Sequence, residues 1–366
     1  MKKPVLILPL LAVLLLLVAA AAPKEKPGAG AKALAAILED LDKHQLEVYP
    51  SFRIQRGLDV TKLPDYSYEG SLKELAVLRA LRERLARVAP EGLTHEEWLS
   101  REILDWQLAR ALEFADHFWL NFQITPYNAP FHEPLHAVFT SFTFDDAKDL
   151  PRYLDLLRQY VGAVGQLRTN LETQRSKGIL LPKAEIDPVV GLVRAFVLKP
   201  EESVFAVASE RLTKIDPKKA AAFQADVLKQ VQSTINPALE ALAAVPDSQA
   251  YREAAPDRVG MGQYPGGDAA YRYLVRLYTT MDVIPEQVHQ QGIQEVARLN
   301  RRLEELRQKI GFKGSPPPFR KFLESDPRFF AKTPEEVAER LMAPVRQIEP
   351  RIGSFFLRVP KAPYGV

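Results

Sequence analysis

The stretch PEQVHQQGIQEVARLNRRLEELRQKI, residues 285–310, decides the fold class. Val288, Gly292, Val296, Leu299, Leu303, Leu306 and Ile310 recur at steps of four, four, three, four, three and four. That spacing keeps them on one face of a 3.6-residue helix and makes a continuous packing seam. Pro285 suits the first helical position, where its missing N–H would have had no partner. Gly311 provides the stop. Arg298, Arg301, Arg302, Glu305 and Lys309 fall on the opposite face, which is expected to be solvated.

The same period extends in both directions. Thr333-Pro334-Glu335-Glu336 caps a helix that ends near Pro350, and Thr94-His95-Glu96-Glu97 is a capping box. The helix begun at Thr94 is expected to reach about Asn121. Leu104, Leu108, Ala111, Ala115 and Trp119 form one stripe on it, and Leu99, Ile103 and Trp106 another, a pattern that suits a central helix. Further helices are expected over residues 31–48, 72–88, 150–176, 188–197, 201–212 and 217–245. Lys177-Gly178 ends the third of these, and Pro237 should kink or split the last. Residues 123–143 carry Pro126, Pro130 and Pro134 among aromatics and predict a long loop or short extended pieces. No strand-like alternation persists, so the chain is expected to be all-α, a multi-helix array.

The N-terminus sets the address. Lys2 and Lys3 precede an apolar run over residues 5–18, and Ala19–Ala22 supply small residues for cleavage. This is the layout of a signal peptide over residues 1–22. It predicts export to the periplasm or beyond, with no stable membrane span once the leader is cleaved. Residues 23–30, rich in Pro, Gly and Lys, follow as a linker to a helical domain over 31–366. The chain has no cysteine, so an exported form holds its fold without disulfides, and no metal site can use thiolate. With 49 basic against 46 acidic residues, nothing suggests tracking of a nucleic-acid backbone.

Candidate chemistry is sparse. His132-Glu133-Pro134-Leu135-His136 fits the H-E-x-x-H pattern, which needs both imidazoles on one helix face. Pro134 is tolerated only in a first turn, which leaves His132 outside the helix and off that face. The expected reading is a loop whose histidines are hydrogen-bonded or exposed. Glu286 and His289 make a single E-x-x-H pair where a metal bundle needs two. Asp145-Asp146 read as helix-start acids. No nucleophile-elbow, P-loop or dinucleotide pattern is present, and no catalytic or metal residue is assigned. Tyr264-Pro265-Gly266-Gly267-Asp268 precedes a helix with Tyr271, Tyr273 and Tyr278. A glycine pair there could let an anion approach exposed N–H groups, or it could be a plain loop before a core helix.

Several segments together resemble the bacterial family called domain of unknown function 885. These are Gly266-Gly267 with Tyr271, Tyr278-Thr279-Thr280, Ile284-Pro285-Glu286-Gln287-Val288-His289, Gly292-Ile293-Gln294-Glu295-Val296, Gly311-Phe312-Lys313-Gly314-Ser315, Asp326-Pro327, and Phe356 through Pro360-Lys361-Ala362-Pro363-Tyr364. Lys177-Gly178-Ile179 with Pro182 fits an earlier part. The resemblance implies an exported helical protein with a fold like the N-terminal part of helical zinc peptidases. It also implies that a later helix of such relatives carries a His-Glu segment and a Pro-Gly-His segment that bind zinc, with a peptide as substrate. The chain ends before any such segment. The expectation is therefore an N-terminal portion without peptidase activity, no cofactor of its own, and zinc only in a full-length relative. Gly266, Gly267 and Tyr271 carry over as substrate-binding, cleft-lining residues. The alternative is a noncatalytic periplasmic binding or scaffold module.

Overall fold

A computed structural model describes residues 28–133, 135–359 and 361. The leader over residues 1–22, most of the linker, Pro134, Pro360 and residues 362–364 of the motif near the C-terminus lie outside the described residues. Among those described, secondary structure is helical, with one isolated bridge between Thr125 and Asn128. The all-α expectation therefore holds. No described helix is long and apolar enough to cross a membrane. The chain divides into two compact units, up to Asp282 and from Val283.

The first unit begins with α1 (Ala29–Val48), two residues inside the stretch expected as linker, followed by α2 (Pro50–Gln55). Next come α3 (Tyr68–Leu85), capped by the Ser67 hydroxyl, and α4 (His95–Glu113), with the Thr94–Glu97 capping box formed in both directions. Leu34, Ile37 and Leu41 of α1, Leu78, Leu81 and Leu85 of α3, and Leu104 and Leu108 of α4 make one apolar core. The helix after Thr94 does not run unbroken to Asn121, because it tightens into a 3-10 turn over Phe114–Leu120. Only its Leu104/Leu108 stripe is buried. Ile103 is exposed, so α4 flanks the core rather than crossing its centre.

The centre belongs to α6 (Asp149–Ser176), reached through the short α5 (Leu135–Thr140). Along α6, Tyr153, Leu156, Leu157, Tyr160, Val164 and Leu167 are fully or nearly fully buried at helical spacing. The helix also buries two amides. Asn170 donates to Tyr66 O at 2.6 Å and to Gln123 Oε1 at 2.8 Å, and Gln174 donates to Trp119 O at 2.8 Å. These bonds satisfy backbone that has left regular structure, as buried polar groups require.

Residues 123–143 are not wholly loop or extended chain, since α5 lies within them. Ile124, Phe131, Leu135, Val138, Phe139 and Phe142 are buried in the main core, so the segment delivers aromatics inward. α7 (Lys183–Arg194) starts five residues before Pro188 and contains it, and the expected helix over 201–212 resolves into two 3-10 turns, Pro200–Glu202 and Ser209–Leu212. α8 (Pro217–Gln230) and α9 (Asn236–Asp247) are split as expected near Pro237. The joint is a π-type turn, Val231–Ile235, where the wider winding accommodates the N–H that proline lacks. Asp145 and Asp146 precede α6 rather than starting it. The Asp149 carboxylate accepts both their backbone N–H groups, and Asp145 pairs with Lys214 at 2.6 Å. α10 (Gln249–Ala254) and α11 (Gly267–Thr279) complete this unit.

The second unit comprises α12 (Pro285–Lys309), α13 (Pro316–Ser325), α14 (Pro334–Ile348) and α15 (Ile352–Phe355). The bounds of α12 match the sequence expectation within one residue. None of these helices has a buried residue.

Candidate functional site

The Gly266-Gly267 turn is a packing device first. Gly266 sits in the left-handed region at φ 76°, ending the approach to α11, and Gly267 N donates to Tyr264 O at 2.9 Å. Gly267 is buried, and a Cβ there would collide with the Met261 carbonyl. Tyr264 is buried and its hydroxyl donates to Leu180 O, tying the turn to the strand-free segment before α7. Tyr271, one turn further on, is half exposed. Gly266, Gly267 and Tyr271 thus share one turn and one helix start, with Gly267 buried and Gly266 and Tyr271 exposed.

The same helix turns its other face inward. Tyr273 is buried, donates to the Arg110 carbonyl at 3.1 Å, and packs against Phe114 and His117. Burial pushes its phenol up to about 12. Tyr273 and Leu277 close a pocket of about 130 Å³ whose remaining wall comes from α3, α4 and the 3-10 turn. Leu75, Leu78, Phe114 and Phe118 make its apolar side. Tyr49, Glu74 and Arg110 make its polar side, and the Tyr49 hydroxyl donates to Glu74 Oε1 at 2.5 Å. Burial, with the Glu74 carboxylate beside it, raises the Tyr49 phenol well above its ordinary value. Arg110 and Arg276 both pair with Glu113, the latter at 2.6 Å. Sequence reasoning missed this pocket, since Glu74, Arg110 and Tyr273 lie on three helices far apart in the chain.

The His132–His136 pair behaves differently from either sequence reading. α5 begins at Leu135, so His132 is outside the helix as expected, and His136 N donates to His132 O at 2.7 Å. The two rings meet even so, perpendicular with centroids 4.8 Å apart, and Phe196 packs on both. His136 is 7% exposed and is neither exposed nor hydrogen-bonded through its Nε2. Phe205 and Tyr160 complete its surroundings. Glu133 is exposed. Among the described residues, no three His, Asp or Glu side chains come together in a metal-binding group. His289 and Glu286 lie on exposed α12.

Burial, with His132 alongside, lowers His136 from 6.5 to about 4. The folded chain therefore holds this imidazole neutral while the unfolded chain protonates it near 6.5. Stability should be constant above that pH, fall as pH drops from 6.5 to about 4, and flatten below. The loss is at most about 3 kcal/mol. Urea midpoints across this range should show the slope, and His136→Gln should remove most of it.

Two comparisons place the fold. A model of a family described as bacterial protein of unknown function (DUF885) matches residues 50–366. The crystal structure of a candidate lipoprotein from Colwellia psychrerythraea superposes with a TM-score of 0.74 at 16% identity, covering 91% of this chain and 61% of that one. The present chain thus spans about three fifths of that relative's length. No curated protein matches.

Proposed function

The chain belongs to the DUF885 family of bacterial proteins, and from that premise we propose that it is the N-terminal portion of an exported zinc-metallopeptidase-like protein. On this reading the described residues, which bring no three metal ligands together, are expected to show no peptidase activity by themselves. The observation that carries this reading is the uncovered apolar face of the second unit. Val296, Leu299 and Leu303 of α12 and Ile310 at its C-cap are 45–61% exposed, and Val337, Leu341 and Ile348 of α14 are 46–58% exposed. Taken by itself, the second unit leaves seven aliphatic side chains at helical spacing open, more than a complete domain ordinarily does. Further chain, as in the longer Colwellia protein, would cover them.

In such a longer protein, zinc held by the later His-Glu and Pro-Gly-His segments would activate water for attack on a peptide, its natural substrate class. The residues present here do not fit that metal. His132 and His136 offer two rings wedged against Phe196, with no third ligand among the described residues. No catalytic step is therefore assigned to this chain. Gly266, Gly267 and Tyr271 would border the peptide cleft of the complete protein, with Gly266 and Tyr271 exposed enough to touch it and Gly267 buried beneath.

Residues 23–366 should show no chelator-sensitive peptide hydrolysis and should bind a hydrophobic dye. A Leu299→Glu/Leu303→Glu variant should lose most of the dye signal. Hydrolysis abolished by chelator and by His132→Ala would replace this reading with a metal site at that pair. A dye-silent chain melting in one cooperative step would favour the noncatalytic binding or scaffold module, which the enclosed pocket at Tyr273 also favours.

A further inference from the structure

The pocket closed by Tyr273 has the size and chemistry of a ligand site. Its volume of about 130 Å³ is close to the roughly 150 Å³ of apolar cavities that take up benzene. Leu75, Leu78, Phe114, Phe118 and Leu277 supply an apolar wall for a ring. Arg110 supplies something an apolar cavity lacks. Its guanidinium belongs to the pocket lining, with Nη1 engaged by Glu113. It is a fixed cationic donor group that an acceptor entering the pocket can approach.

Charge narrows the choice. Glu74 and Glu113 balance Arg110 and Arg276 around the pocket. A carboxylate brought to Arg110 would share a space roughly 6 Å across, on the volume above, with the Glu74 carboxylate, and like charges so close repel. A cation would meet the Arg110 guanidinium as a like charge. A neutral hydroxyl meets both constraints, because its oxygen accepts while its proton can go to a carboxylate oxygen.

We propose that this pocket binds a neutral phenolic group, its ring between the Phe114–Phe118 and Leu75–Leu78 walls and its hydroxyl on the polar side formed by Glu74 and the Arg110 guanidinium. The source is either a free small phenol or the side chain of a tyrosyl peptide. The assignment stands apart from the proposed peptidase-like reading, since it uses no zinc and no residue beyond 277.

Calorimetric and thermal-shift titrations of the whole chain with phenol, toluene, benzoate and N-acetyl-tyrosinamide test it. Phenol should saturate one site and raise the melting temperature. Toluene should bind at least about tenfold more weakly, as the loss of one hydrogen bond to a charged donor predicts, and benzoate should not saturate. Arg110→Met should bring phenol down to the level of toluene while toluene binding persists, which shows that the variant is folded. Ala111→Leu, which fills the pocket, should abolish both. Saturation by N-acetyl-tyrosinamide at phenol's affinity would assign the peptide source, and saturation by phenol alone the free compound. No saturable phenol binding, equal affinity for phenol and toluene, or an Arg110→Met variant that binds phenol normally would each overturn the proposal.

Discussion

Phe139→Ala is expected to lower stability by about 3–5 kcal/mol, the usual cost of emptying a fully buried aromatic site. Phe139 is 0% exposed and meets Tyr153, Tyr160 and Phe205 edge-on, with centroids 4.9–6.0 Å apart. Those partners come from α6 and from the segment before Ser209, so the ring fastens the irregular 123–143 region to the central helix. The neighbours cannot close the gap, because Tyr153 is itself held by a hydrogen bond to Phe205 O at 2.8 Å. Urea denaturation should show the midpoint shift. Leu303→Ala, at a side chain 61% exposed, should move it by no more than about 0.5 kcal/mol. Equal effects at the two positions would contradict the burial pattern.

Gly267→Ala is expected to cost about 2–3 kcal/mol, at the upper end for overpacking, because the added methyl meets backbone rather than a side chain that can rotate away. The Met261 carbonyl occupies the place of a Cβ. Relief requires moving the 3-10 turn Met261–Gln263 or the start of α11, and either shift disturbs Tyr273 and the pocket wall. Gly292→Ala is the control. Gly292 lies inside α12 with nothing within 4 Å of an added Cβ, so the substitution should stabilise that helix by roughly 0.5–1 kcal/mol. Thermal melts of the two variants should move in opposite directions.

The helices most legible in the sequence were those with a local cause. The Thr94–Glu97 box, the Thr333 cap, Pro285 at a helix start and the Pro237 break all act within a turn or two of the residues that specify them, and the structure places each where it was expected. Residues 123–143 misled because proline-rich composition suggests a loop or extended pieces, whereas α5 forms within them. Their aromatics answer instead to α6 and to residues 196–205, far along the chain. Pro188 misled similarly. As a first-turn residue it would have started a helix, yet α7 begins at Lys183 and contains it. The buried residues of α7 are Ile186, Val189, Val190 and Val193, and their packing outweighs the lost hydrogen bond.

The candidate site divides along the same line. Glycines, tyrosines and the His132–His136 spacing were visible as sequence motifs, but their roles were not. Gly267 and Tyr271 are four residues apart, and one is buried while the other is half exposed. His136 loses solvent through Tyr160, Phe196 and Phe205, none of them near it in sequence. The pocket needs Glu74, Arg110 and Tyr273 from three helices. By itself the sequence determined the helical class, most helix ends, the seam of α12 and the family likeness, since periodicity, caps and short motifs are local properties. Tertiary structure alone decided which seams are covered, which polar groups are stranded without partners and where a cavity forms, because burial and its electrostatic consequences depend on segments that meet only after folding.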